Sequence, residues 1–275
     1  MLKEYGSLVR ISDPKDAREG FAKLKLIGFT YCQLVYKPDI YTEEAARLIK
    51  EAADAENVKI VALFAGYNDA YTKYDAYEDY KTAGINSKKY GKGRIEYVKQ
   101  AALFAKSMGV DDVLIHAGFI ANNPFSSEYK YTKTALADLA GFCKEIGVNL
   151  LMETGGESPI TLLRIIEDLD LGNIYVNLDT ANLIMYGFGN PVDAVYTLKN
   201  HIKSMHVKDG VPPTEPNKLG KEKPIGEGFV DFKRVFEELK KIDFNGPLVI
   251  EREITGPQQA EDLKKSIEYL NKIIG

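Results

Sequence analysis

The segment from Ile174 to Asp209, IYVNLDTANLIMYGFGNPVDAVYTLKNHIKSMHVKD, contains the same event twice. A short apolar run ends on a side chain of the kind that binds metals. Ile174 to Leu178 stops at Asp179; Ile202 to Met205 stops at His206, with Asp209 three residues on. Between them lie a loop rich in Gly and Asn and a helical pattern from Pro191 to His201. Two buried strands joined through a helix read as a βαβ unit, and hence as part of a parallel sheet. Asp179 and His206 then stand at equivalent strand ends on one rim. In a closed βα barrel, that rim carries the chemistry.

Working outward, the pattern recurs on both sides. Val148 to Met152 ends on Glu153 and opens into Thr154-Gly155-Gly156, and Pro247 to Ile250 ends on Glu251, followed by Arg252-Glu253. An ionised carboxylate at the end of an apolar strand is costly unless something pairs with it. Three carboxylates and an imidazole converging on one rim therefore point to a divalent cation held by Glu153, Asp179, His206 and Glu251. Three oxygen donors and one nitrogen suit Mn, Mg, Co or Zn better than a metal that prefers thiolates.

Strand and helix signals alternate along the rest of the chain. Strands are expected at Leu8–Ile11, Tyr31–Tyr36, Lys59–Ala65 and Asp112–Ile115, the last running into His116-Ala117-Gly118. Helices are expected at Asp16–Ile27, Thr42–Glu56, Gly91–Met108, Ser126–Ile146, Pro159–Asp170, Asp231–Ile242 and Pro257–Ile274. Thr42 serves as an N-cap, and Gly28, Gly109 and Gly147 act as stops. Eight alternations without a domain break predict a single (β/α)8 TIM barrel over residues 1–275. Two segments exceed simple connectors. Gly66–Tyr90 carries Tyr67, Tyr71, Tyr74, Tyr77, Tyr80 and Tyr90, and Gly210–Gly228 carries four prolines. Both follow strands on the ligand side, so both can roof a pocket; the tyrosines suit a pocket wall or a subunit contact equally.

The 275 residues fit one barrel, and 45% hydrophobic content is enough for a full core. A net charge of -4 without a long basic run argues against a dedicated nucleic-acid binder. No apolar stretch reaches membrane-spanning length, and the start MLKEYGSLVRISD lacks a signal peptide's apolar core. Cys32 and Cys143 form no paired motif. The expectation is a cytoplasmic protein with no nucleic-acid or membrane partner, with a homo-oligomer compatible with the tyrosine-rich segment.

The ordered set HAG at His116, ETGG at Glu153, LDTAN at Asp179, MHVKDG at His206, IGEGFVDF at Ile225 and VIERE around Glu251 resembles the sugar phosphate isomerase/epimerase superfamily with a xylose-isomerase-like TIM barrel. The resemblance covers roughly the last two thirds of the chain. It implies that Glu153, Asp179, His206 and Glu251 hold one divalent metal, often manganese, and that the two glutamates also do acid–base work. The chemistry agrees. A metal chelated by a sugar's carbonyl and hydroxyl oxygens stabilises a developing enediolate, while one carboxylate removes the proton and another carboxyl returns it. His116, Asn182, Lys208 and Asp209 are candidate substrate contacts. His116 lines the pocket, and the other three balance that role against local turn roles. Asn182 and Pro212 stand where ketohexose epimerases of this kind often have histidine and arginine. Lys208, Lys218 and Lys221 are the candidates for positive charge near the mouth.

Simpler roles exist for each residue: Asp179 as a helix cap, His206 as a core histidine, the glutamates as partners of Lys or Arg. Four such residues at successive strand ends favour the metal. The expected activity is a metal-dependent sugar or sugar phosphate isomerase or epimerase. The alternatives are a keto-inositol dehydratase on the same site and an apurinic endonuclease-like hydrolase. The last needs more histidines than the three present.

Overall fold

The computed structural model describes residues 4–67 and 83–274. Tyr71, Tyr74, Tyr77 and Tyr80 of the expected roof lie outside them. The described chain begins with β1 (Gly6–Val9), α1 (Ala17–Ile27), β2 (Tyr31–Val35), α2 (Glu43–Ala55) and β3 (Lys59–Phe64). It continues through α3 (Gly91–Ser107), β4 (Asp112–Ile115), α4 (Ser127–Glu145), β5 (Asn149–Glu153), α5 (Pro159–Leu169) and β6 (Ile174–Asp179). After these come α6 (Asn182–Tyr186), α7 (Pro191–Leu198), β7 (Ile202–Val207), β8 (Asp209–Val211) and β9 (Lys221–Lys223). The last three are α8 (Phe232–Lys241), β10 (Leu248–Ile250) and α9 (Pro257–Ile274). Eight strands close into a parallel barrel in the order β1-β10-β7-β6-β5-β4-β3-β2. The chain is the single (β/α)8 barrel expected, and no helix of the described residues is long and apolar enough to cross a membrane.

Side chains alternate across each strand, and the barrel uses that period to separate core from site. Cys32, Leu34, Leu150, Met152, Val176, Leu178, Met205 and Val207 join the large apolar cluster packed between strands and helices. Their neighbours face the barrel interior. There Val35, Phe64, Leu114 and Leu151 form a second, small cluster. Above this plug the inward positions turn polar: Glu153 follows Leu151, and Asp179 and His206 follow Asn177 and Ser204. The apolar runs thus fill the outer core and the lower barrel, and the polar residues that end them share one floor.

Most expected boundaries fall within a residue or two of those observed. Thr42 caps α2 as expected, its hydroxyl accepting from the Ala45 amide at 3.2 Å, an arrangement worth about 1 kcal/mol. Gly28 ends α1 at φ 110, where a side chain would be strained. The first strand sits two residues earlier than its apolar residues suggest. Its pairing runs through Gly6 and Ser7, which face Val249 and Ile250. Gly6 is needed there, because an added Cβ would lie 2.3 Å from the Tyr31 ring. That ring is pinned by its hydroxyl, which accepts from the Leu248 amide at 2.7 Å. The helix expected over Pro191–His201 stops at Leu198. Short α6 and the antiparallel hairpin β8–β9 were not expected. The hairpin opens the proline-rich segment, so part of that roof is regular structure.

A buried carboxylate and imidazole centre

Glu153, Asp179, His206 and Glu251 meet at the barrel's C-terminal rim. Each offers one donor atom, and these atoms all lie within 4.8 Å of one another. All four side chains are buried. Register explains the convergence. β6 and β7 pair with Asp179 opposite His206, and Glu251 continues β10 beside β7, its amide bonding the Val207 carbonyl at 3.1 Å.

His206 is oriented from below. Its Nε2 lies 2.7 Å from Gln33 Oε1 on β2. The Gln33 amide nitrogen in turn faces Asn177 Oδ1 at 3.5 Å, which also accepts from the Ser204 hydroxyl. With the glutamine oxygen turned to the ring, Nε2 carries a proton and donates, and Nδ1 faces the carboxylates. Nδ1 stands 3.0 Å from Glu153 Oε1, 3.3 Å from Glu251 Oε2 and 3.8 Å from Asp179 Oδ2. Gln33 was not singled out from the sequence. Its only signal is one polar residue inside the apolar run YCQLV.

The electrostatics show a cluster short of positive charge. Burial opposes the imidazolium, yet Glu153 and Glu251 overcome it and raise His206 well above its ordinary range. Burial raises Glu153 and Glu251 as well, but the histidines pull Glu153 down, and Lys208 with His206 pulls Glu251 well down. Asp179 goes the other way. Burial raises it well above the usual carboxylate range, with Glu153 and Glu251 adding to the rise and Lys208 opposing it. Glu153 Oε2, Asp179 Oδ2 and Glu251 Oε2 are buried without a hydrogen bond of proper geometry. Nitrogens do stand near them, His116 Nε2 at 3.1 Å from Glu153 Oε2, Lys208 Nζ at 3.3 Å from Glu251 Oε2 and at 3.9 Å from Asp179 Oδ2. Orphaned oxygens are expensive unless a cation meets them. Three oxygens and one ring nitrogen at this spacing fit a divalent metal ion, and these four residues could hold one.

Asp179 fills the cap role weighed for it and also faces the cluster. Oδ1 accepts from the Ala181 and Asn182 amides at 2.8 and 2.7 Å, capping the turn into α6, while Oδ2 points into the cluster. Thr154 locks this end, donating to the Asp179 carbonyl at 3.1 Å and accepting from its amide at 2.9 Å. Asn182 bridges, donating to Glu153 Oε1 at 3.2 Å and accepting from Lys208 Nζ at 3.2 Å. Lys208 is buried and also pairs with Glu253, a residue not singled out beforehand. His116 is partly exposed beside Glu153, with its backbone carbonyl bonded by the Tyr67 hydroxyl at 2.8 Å.

Asp209 is placed elsewhere than in a substrate pocket. Its carboxylate accepts from the amides of Gly210, Gly226, Gly228 and Val230 at 2.8 to 3.1 Å, so it anchors the loop before α8. Four backbone donors use up its lone pairs, and the local turn role weighed for it accounts for them. Of the lysines weighed for the mouth, Lys221 is exposed on β9 and the other two are paired. Lys208 is committed to the carboxylates around it, and Lys218 pairs with Glu215 on the surface at 2.7 Å. A cavity of about 440 Å³ opens over the cluster, with Phe64, Tyr67, His116, Asn182, Tyr186 and Glu251 in its wall.

Fold and cluster together define a parallel barrel with a buried group of three carboxylates and an imidazole at its C-terminal rim that could hold a metal ion. A family model described as xylose isomerase-like TIM barrel matches residues 21–273, and the chain belongs to that family. A crystal structure of a xylose isomerase domain protein from Planctomyces limnophilus superposes with TM-score 0.90 at 27% identity, covering 98% of this chain and 96% of that one. The uncharacterized protein MJ1311 of Methanocaldococcus jannaschii is 24% identical over 273 residues, 89% of this chain and 90% of that protein. A shorter match joins 26% of the chain to 23% of the L-ribulose-5-phosphate 3-epimerase UlaE of Shigella flexneri, 39% identical over 71 residues.

Proposed function

We propose that this chain, an enzyme of the isomerase and epimerase kind, is a divalent-metal-dependent sugar isomerase or epimerase that moves a proton between Glu153, Glu251 and a carbon beside a carbonyl. The observation that carries the reading is the pair of buried glutamates bracketing His206 Nδ1 at 3.0 and 3.3 Å. Proton transfer at carbon needs a carboxylate to take the proton and a carboxyl to give it back. A metal ion held by the four residues would stabilise the negative charge that develops as the C–H bond breaks. Glu153 comes from β5 and Glu251 follows β10, with β6 and β7 between them in the barrel. A substrate held between two such groups can lose a proton on one face and regain it on the other, which inverts the carbon. The same pair serves isomerisation when the proton returns to the neighbouring carbon.

The surrounding groups support these roles. Asn182 holds Glu153 Oε1, and Lys208 lies 3.3 Å from Glu251 Oε2, so each glutamate has a fixed polar neighbour. The name of the UlaE relative supports an epimerase, and an ion such as Mn²⁺ suits the donor set. A panel of aldoses, ketoses, their phosphates and inososes with Mn²⁺ in D₂O, read by NMR, tests the reading. A sugar product carrying deuterium beside its carbonyl is expected. Hydrogen transferred without solvent exchange, a product lighter by one water, or no turnover of any member contradicts it.

A further inference from the structure

Two cationic side chains at the mouth take no part in the centre described above. Arg10 follows β1 and Lys37 follows β2, and both line the 440 Å³ cavity that also contains Glu251 and His116. Their orientation follows from strand parity. Val9 and Ile11 pack into the outer core on either side of Arg10, as Tyr36 does before Lys37. Arg10 therefore continues the inward set of Leu8, and Lys37 that of Gln33 and Val35. In the closed order, β1 and β2 stand across the barrel from β5 and β6, which carry Glu153 and Asp179.

Neither cation has a carboxylate at ion-pair distance among the described residues, whereas the buried Lys208 is bound to Glu253 and lies 3.3 Å from Glu251. Glu253, the remaining acid of the wall, is thereby committed to Lys208. Lys37 also borders a second cavity of about 680 Å³ with Asp39, Tyr67 and Tyr97 in its wall, so space continues past the β2 end. The wall thus carries two cations without an acidic partner after β1 and β2, while its own carboxylates, Glu251 and Glu253, follow β10 and both face Lys208.

We infer that Arg10 and Lys37 form the subsite for a phosphate monoester at the far end of the sugar. The inference rests on the isomerase or epimerase reading and names its substrate class. A guanidinium presents a planar fork to phosphate oxygens, and an ammonium adds a point charge; together they match a dianion. With the reacting carbons beside Glu153 and Glu251, a sugar lying across the mouth brings its terminal carbon to the β1 and β2 side. A free sugar would leave both cations without an anionic partner.

The test measures binding separately from turnover. The Mn²⁺-loaded wild type is titrated calorimetrically with L-ribulose 5-phosphate, with L-ribulose and with inorganic phosphate. The phosphorylated sugar is expected to bind at least about tenfold more tightly than the free one, with inorganic phosphate competing. Arg10→Met and Lys37→Met should each weaken the phosphorylated sugar by roughly 10–100-fold, the range for a charge-assisted hydrogen bond, and leave the free sugar's affinity and the melting temperature unchanged. Equal affinity for the two sugars, equal losses for both in the variants, or no binding of sugar phosphate and inorganic phosphate overturns the subsite. Binding that depends on Arg10 and Lys37, with no turnover of any sugar in the panel above, would sink the isomerase or epimerase reading and leave the subsite standing.

Discussion

Asp179 ends β6 and Asp209 stands just past β7, at the start of β8; both are buried, and they meet opposite fates. The four amides around Asp209 satisfy both of its oxygens and bind the Gly226–Val230 loop to the end of β7. Asp179 gives one oxygen to the amides that begin α6 and keeps the other bare, inside a ring of two glutamates and a histidine. A buried carboxylate whose lone pairs all meet backbone is architecture. One that keeps an orphaned oxygen among other orphaned oxygens is placed where a cation could meet it. Glu157 is a third case: buried with Oε1 unpartnered, but outside the cluster, it responds by holding its proton, pushed up to about 8 by burial with the Glu153 charge adding.

The comparison breaks first at the glutamates. Glu153→Gln or Glu251→Gln keeps size and removes the base, so each should cost at least ~100-fold in kcat at saturating Mn²⁺. Full activity in both variants, with the active sugar found as above, removes the acid–base roles even if the metal stays. Next comes Gln33→Leu, which leaves the His206 Nε2 proton without its acceptor and loosens the ring. Metal affinity should fall roughly 10–100-fold by competition with a chelating dye. An unchanged affinity would mean that Gln33 does not orient the ligand.

On the other side of the comparison, Asp209→Asn keeps one oxygen and sets an NH₂ against two amide donors. It should cost about 1–3 kcal/mol in denaturant unfolding while metal content holds. Gly228→Ala should act the same way, since its Cβ would lie 2.1 Å from Asp209 Oδ1. Metal loss in either variant would erase the distinction between the two aspartates. A pH-dependent effect is expected at Glu157. Its proton is held more tightly folded than unfolded, so its contribution to stability is whole below pH 4.5 and is lost as pH rises through about 8. The melting temperature of the wild type relative to Glu157→Gln should fall across that window and level off above it. A constant difference over the whole range would show that Glu157 ionises as freely folded as unfolded.

The barrel and the four-residue cluster at its rim were legible because each member of the cluster ends an apolar run that the eye can count. Glu153, Asp179, His206 and Glu251 needed no partner to be noticed, only their place at strand ends. Gln33 needed the closed order of strands, which brings β2 across the barrel to β7; in the sequence the two residues stand 173 apart. Arg10 and Lys37 are hidden for the same reason, since a single cation after a strand has no meaning until the opposite rim is known. Asp209 was ambiguous because the amides that claim it come mostly from 17 to 21 residues downstream, in a loop with no periodic pattern. The first strand was displaced because Gly6 and Ser7 pair without contributing apolar side chains.

The central claim is that the bare oxygens at the rim exist to hold a metal. It is tested most directly by loading the purified protein with Mn²⁺, removing the excess, and counting bound metal by mass spectrometry beside His206→Ala and Asp209→Asn. The account predicts one divalent ion per chain in the wild type and in Asp209→Asn, and its loss in His206→Ala with the circular dichroism of a folded barrel retained. A wild type that binds no divalent ion, or a folded His206→Ala that binds it as tightly, would contradict the account.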